Sequence, residues 1–234
     1  MNFIRKFLQV LGPVVMFLLA ILIFSLLQER HNLAFLNIET NDSFLQNSYL
    51  IKHVNIIPMA EDTLLRNQMI LIKEGVIAEI SQDIPAGDWP VFDGKGAFVL
   101  PGLIDMHVHV WDEYELGLYL ANGVTAVRNL WGQPMHLRMK EAIDEEKIIG
   151  PLFFTSSPKL TGPVFIGDDN LQLKSPQQAA DKVKDYRLRG YDFIKTYNGL
   201  PREIFDAIVK ESRVQELDIV AHPSSELPYE YHLE

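Results

Sequence analysis

Cysteine is absent from the 234 residues. That excludes disulfides and thiolate ligands, so any metal this chain holds must be bound by histidine, carboxylate or a group made from lysine. A basic stripe is missing too. The net charge is −10, with 21 Lys and Arg against 31 Asp and Glu, and neutralising phosphates takes clustered cations. No nucleic-acid partner is expected. Charge of either sign is lacking over residues 7–27, a run that meets the roughly 20 apolar residues needed to cross a bilayer as a helix.

An uncleaved membrane anchor, a cleaved signal and a buried core helix all fit such a run. A signal peptide has a shorter apolar core of about 7–15 residues and ends in a small-x-small site. Neither is met well, which favours the anchor. Arg5 and Lys6 precede the run, and the basic end of a span stays cytoplasmic. The bulk of the chain is therefore expected on the exported side, periplasmic or extracellular.

Beyond a polar linker at 32–46, alternation of apolar and polar residues predicts short strands at 49–57, 68–73 and 76–80. Glu74-Gly75 suits a tight hairpin between the last two. With 91–92 and 97–100 these make an antiparallel β unit. After Pro101 the period changes. Strands are expected at 104–110, 126–130, 152–156, 193–197 and 219–222, alternating with helices near 113–121, 136–146, 176–188 and 201–215. Such alternation means βαβ units and a parallel sheet. A long polar loop containing Thr161-Gly162-Pro163 follows the third of these strands.

His107 and His109 are two apart in GLIDMHVHV, so on a strand they share a face, about 7 Å apart along the backbone. Two imidazoles on one rigid strand suit a single metal ion. A polar surface stripe fits the bare spacing as well. Asp105 lies on the same face and is placed to orient a ligand ring from behind. The pair closes a strand that feeds a βα loop, where parallel α/β barrels place their chemistry.

The segment GLIDMHVHV, preceded by VFDGKGAFVLP, resembles the first barrel strand of the amidohydrolase superfamily. The resemblance implies a (β/α)8 TIM barrel at 101–234, represented by strands one to five, a small β-sandwich segment at 47–100, and a membrane anchor at 1–31 ahead of the linker. It also gives meaning to residues that are ambiguous alone. Lys195, in Phe-Ile-Lys-Thr-Tyr, shares a face with Phe193 and Tyr197; read by itself it could simply reach solvent. The segment is similar to the fourth strand of the branch in which lysine is carboxylated and bridges two metal ions. His222, in Val-Ala-His-Pro, reads alone as a core histidine. The resemblance makes it a ligand of the second metal and Tyr197 a substrate contact.

What the resemblance implies is thus a pair of divalent ions, zinc by family habit, held by His107, His109, Lys195 and His222. The expected reaction is hydrolysis of an amide or peptide-like carbon–nitrogen bond in a small molecule, in the manner of the imidazolonepropionase and prolidase branch. A sixth-strand histidine and an eighth-strand aspartate have no counterpart, so these residues are expected to be a truncated and inactive form. A membrane-anchored pseudoenzyme or binding module, holding a ligand or partner chain in the partial barrel, is the alternative. Four other residues carry lesser expectations. His53 reads as an ordinary strand residue, His136 as surface, and His232 as part of a helix at 227–234. Asn129 departs from the Arg-Asp pair expected of relatives after strand two.

Overall fold

A computed structural model describes residues 2–36, 48–85, 87–163 and 171–232. The chain divides into two units, Glu39–Ile104, and Met1–Ile38 together with Asp105–Glu234. In the first, strands β1 (Tyr49–Ile56), β2 (Leu65–Lys73), β3 (Val76–Ser81), β4 (Val91–Asp93) and β5 (Phe98–Val99) form one sheet. The β2–β3 hairpin turns where expected, with φ of 50° at Glu74 and 77° at Gly75, the left-handed pair that a tight two-residue hairpin requires.

The expectation of a wholly antiparallel unit is corrected. β4 and β5 both pair with β1 in parallel, because pairing direction is set by where the connection re-enters the sheet, not by the strand's own residues. A bulge between Ile51 and Val54, with His53 at φ 54°, moves later side chains to the opposite face. Leu50 therefore packs with Leu71 and Ile84, while Val54 and Ile56 pack with Ile70 and Ile72.

The second unit begins with α1 (Asn2–Asn32), continuous through Pro13. Its described segment Leu11–Asn32 is 22 residues long and apolar enough to cross a membrane. At 1.5 Å per residue that is about 33 Å, against a hydrocarbon core of about 30 Å. Its apolar side chains from Leu11 to Leu27 are exposed. Of the stretch expected to be a linker, 37–46 lies outside the described residues. The part before it is ordered: a 3-10 turn at Ala34–Leu36 buries Leu36 to 1% exposure, and Ile149 N–H donates to the Leu36 carbonyl.

β6 (Leu103–Val108) leads from the first unit into the second, and α2 (Tyr114–Ala121), β7 (Val124–Asn129), α3 (Pro134–Asp144) and β8 (Leu152–Thr155) follow. Then come β9 (Leu160–Thr161), β10 (Leu171–Gln172), α4 (Pro176–Arg189), β11 (Phe193–Thr196), α5 (Arg202–Val214), β12 (Asp218–Ala221) and a 3-10 turn at Tyr229–His232. One sheet runs β6-β7-β8 and another β10-β9-β11-β12. A parallel bridge between Ser156 and Phe193 links them. The five strands that alternate with helices thus lie side by side in chain order. β9 and β10 fall in the stretch expected to be irregular, and their pairing is too short for any period to announce.

The helices follow local chemistry. Ser175 accepts a hydrogen bond from Gln178 N–H at 3.2 Å, with Pro176 next to it, and Gly190 ends α4 at φ 92°; cap, first-turn proline and left-handed glycine are all in place. On α5, Ile204, Phe205, Ile208 and Ser212 are buried, one stripe at helical spacing. The stripe meets α4 and β11 through Ala179, Val183, Tyr186 and Ile194. A second core joins Leu36 to Val108, Val110, Leu116, Val127, Met139 and Phe153. Together these cores hold the strand ends that carry the histidines and Lys195.

Candidate functional site

His107 lies within β6 and His109 just past its last residue. Their ring centroids are 5.5 Å apart, as expected of two side chains on one face. Lys195, on β11, is 3% exposed. Burial pushes its pKa down, and the charges of Arg128 and Lys159 push it further the same way. No carboxylate pairs with its ammonium among the described residues. Its positive charge reaches every expected imidazole ligand: it depresses His107, His109 and His222, in each case after burial itself. The fold therefore brings residues from the first, fourth and fifth strands of the βα series to one place.

His222 follows β12, with its N–H donating to the Thr196 carbonyl at 3.0 Å. Its ring stands 4.7 Å from that of Tyr197, and Lys159 lies 5.2 Å from the centre of the Tyr197 ring. Asp105 accepts a hydrogen bond from the His107 backbone N–H at 3.1 Å. Its charge raises His107 against the stronger depressing effects. The charges of Arg128 and Lys159 reach the Lys195 ammonium, and Asp105 is the one carboxylate among the described residues whose charge registers on His107, His109, Lys195 or His222. Among the described residues, no three His, Asp or Glu side chains cluster as a metal-binding group.

The expectation that His136 is a surface residue is wrong. It is fully buried, because its ring packs near Phe153 and Trp131 and both nitrogens find partners. Gln133 N–H donates to Nδ1 at 2.9 Å, so the proton sits on Nε2, which donates to the Val110 carbonyl at 2.8 Å. Asn129, noted only as a departure from relatives, is also fully buried. Its Oδ1 accepts from Val110 N–H at 3.1 Å, and its Nδ2 donates to Thr155 Oγ1 and to the Trp131 carbonyl. The roles of both residues depend on groups distant in sequence. Gly132 allows this loop its close approach: a Cβ there would lie 1.6 Å from the Ser156 carbonyl oxygen.

His232 ends the last 3-10 turn, where Nε2 accepts from Ser224 N–H at 3.1 Å; it is built into that turn. His53 bonds the exposed Asp93 at 3.0 Å. Trp111 and Trp131, whose rings are 4.5 Å apart, stand over the His109 side of the site, with Trp131 6.2 Å from His109.

No protein-family profile matches the sequence. Individual relatives do. A dihydroorotase from Carboxydothermus hydrogenoformans is 49% identical over 63 residues, covering 27% of this chain and 14% of that protein. Among solved structures, a putative prolidase from Bifidobacterium longum superposes with a TM-score of 0.69 and 25% identity over 77% of this chain and 51% of its own. The bottromycin amidohydrolase does so at 0.67 and 25% identity over 86% of this chain and 46% of its own. The chain thus spans about half the length of these solved relatives.

Proposed function

Since the chain is a member of the amidohydrolase superfamily, we propose that it carries the first part of a metal-dependent hydrolase site for carbon–nitrogen bonds. On this reading residues 101–234 are strands one to five of a (β/α)8 barrel and 47–100 belong to the β-sandwich segment before it. The substrate is a small amide, cyclic amide or dipeptide-like molecule. The observation that carries the proposal is the convergence of His107, His109 and His222 on a buried lysine that, among the described residues, no carboxylate neutralises.

The donor set fits a divalent pair. Burial holds the three imidazoles toward the neutral form, which is the form that ligates. A lysine with a depressed pKa presents more neutral amine. That amine can add to carbon dioxide, forming an N–C bond and losing one proton, and so turns a buried cation into an anion among cations. Arg128 and Lys159, which disfavour the ammonium, favour that anion. When bound, two divalent ions supply Lewis-acid polarisation of the substrate carbonyl and the acidity that activates water. His107 and His109 would hold one, His222 the other, with Lys195 between them. Tyr197, beside His222, would contact substrate, and Asp105 fixes the backbone of His107. The sixth-strand histidine and eighth-strand aspartate of the family pattern are not among these residues, so a polypeptide of residues 1–234 alone is expected to lack turnover.

Carbon-13 NMR with labelled bicarbonate and zinc tests this. A carbamate resonance that Lys195→Ala removes is the expected result; zinc content that dialysis reduces to zero, with no such resonance, would leave a binding module or inert anchor. Added zinc producing hydrolysis that His107→Ala abolishes would overturn the incomplete-site part.

Residues 11–32 are read as a single membrane anchor with the rest of the chain exported. The short 3-10 turn after α1 is seated in the core by Leu36, next to Ile149, which precedes β8. The anchor therefore joins the amino-terminal end of that strand, whereas the histidines and Lys195 gather toward the carboxyl ends.

A further inference from the structure

We propose that Asn129 and His136 form a clamp on Val110 whose task is to position His109. The proposal goes beyond the ligand set above and rests on that reading of His109 as a ligand. His107 lies inside β6, where the strand holds it. His109 does not: β6 ends at Val108, whose carbonyl accepts from Leu130 N–H at 2.9 Å. Past that bond the sheet offers no partner, yet Val110 is fully buried. An unpaired backbone group there would be costly.

Two side chains from other elements replace the missing ladder. Asn129, at the end of β7, accepts from Val110 N–H. His136, in the first turn of α3, donates to the Val110 carbonyl. Each is oriented by further bonds. The Asn129 amide can face only one way, since its NH2 is committed to Trp131 and Thr155. The His136 tautomer is set by Gln133 N–H at Nδ1. His109 is thus held between a residue bonded by the sheet and one bonded on both sides by buried side chains. Neither is among the proposed ligands; both act on His109 through the Val110 backbone, as positioning residues.

His136 does two jobs that can be separated, because it also caps α3. Asparagine can place an oxygen near Nδ1 and keep the cap, but cannot reach Val110. Glutamine can place an NH2 near Nε2 and keep the bond to Val110, but leaves Gln133 N–H unpaired. The experiment measures zinc affinity and thermal stability of the full chain in detergent for the wild type, His136→Asn and His136→Gln. The clamp predicts that His136→Asn weakens zinc binding about tenfold or more, the scale for groups that orient a ligand. His136→Gln should stay within about threefold of wild type, whatever its melting temperature. Equal affinities, or losses that track stability alone, would overturn it.

If the wild type binds no zinc, the ligand reading fails but the clamp is still testable without metal. Hydrogen exchange at the Val110 amide and the spread of His109 ring signals should then be low in wild type and His136→Gln and raised in His136→Asn. No difference among the three would overturn the clamp. Should His136→Asn fail to fold, Asn129→Leu serves in its place. Leucine there has similar volume but no acceptor for Val110 N–H, so exchange at Val110 and the spread of His109 signals should rise; unchanged His109 order would count against the clamp.

Discussion

Replacing Lys195 by methionine should stabilise the metal-free protein and abolish its response to zinc. The lysine is 3% exposed and its charge is opposed first by burial, then by Arg128 and Lys159. Methionine fills nearly the same volume with no charge to bury. Exchanging buried charge for apolar side chains is worth about 1–4 kcal/mol, and each unit by which the folded lysine sits below its unfolded pKa is about 1.4 kcal/mol of penalty. The sign with pH follows. The folded value lies below the ordinary lysine value of about 10.4, so the unfolded chain binds more protons between the two values and stability rises with pH across that window. Below the folded pKa the penalty is fully present; above about 10.4 it is gone. Urea unfolding in chelator and carbon dioxide-free buffer, read by Trp111 and Trp131 after Trp89→Phe, should show Lys195→Met more stable at pH 7 and level with wild type near pH 11. Zinc and bicarbonate should reverse the order: ligand at a hundred times its Kd adds about 2.7 kcal/mol to wild type and nothing to the variant. A methionine variant less stable than wild type without metal would refute the reading of Lys195 as an uncompensated buried cation.

His107, His109 and His222 should titrate below the ordinary imidazole range in ring NMR, because burial and then neighbouring charge depress each of them. Their contribution to stability should be constant above about pH 6.5 and fall as the pH drops through the folded values; a ring titrating above 6.5 would contradict the cationic character of the site. Leu18→Arg with Leu22→Arg should shift the protein from the membrane fraction toward the soluble one, as each centrally placed arginine costs about 2.5–3.5 kcal/mol on insertion scales. Leu36→Ala should cost about 2–5 kcal/mol in the unfolding of the second unit, since the side chain is 1% exposed; no measurable loss would show that the turn after α1 is not seated. In nanodiscs, brominated lipids should leave Trp111 and Trp131 bright while aqueous iodide quenches Trp111, which is 64% exposed.

Much of this was legible locally. Ser175-Pro176 and Gly190 bracket α4 because caps act within one turn, and Glu74-Gly75 marks its hairpin because the backbone there needs two left-handed residues. The alternation of strands with helices and the His-x-His pair likewise follow from period alone. What escaped depends on partners far along the chain. His136 looks like a solvated residue at a helix start, and only the Val110 carbonyl, 26 residues earlier, makes it a core donor. Asn129 is defined by Val110, Trp131 and Thr155 together. The parallel pairing of β4 and β5 with β1 and the burial of Leu36 are of the same kind, since nothing within a short segment states which neighbour it will meet.

The two ends of the strands carry different burdens, and this bears on what reaches the site. Ile149, bonded to Leu36, lies six residues before Thr155 at the end of β8, about 20 Å at the rise of a strand. On the proposal that α1 anchors the chain in a membrane, its junction at the amino-terminal end of β8, close before the seated Leu36, would keep that end next to the bilayer. The carboxyl ends, where His109 and Trp111 stand, would then open toward water. A substrate drawn from the aqueous phase suits that placement, and one extracted from the lipid would have to travel the length of the strands. The quenching experiment decides between them, because the two tryptophans sit beside His109 and report which solvent it meets.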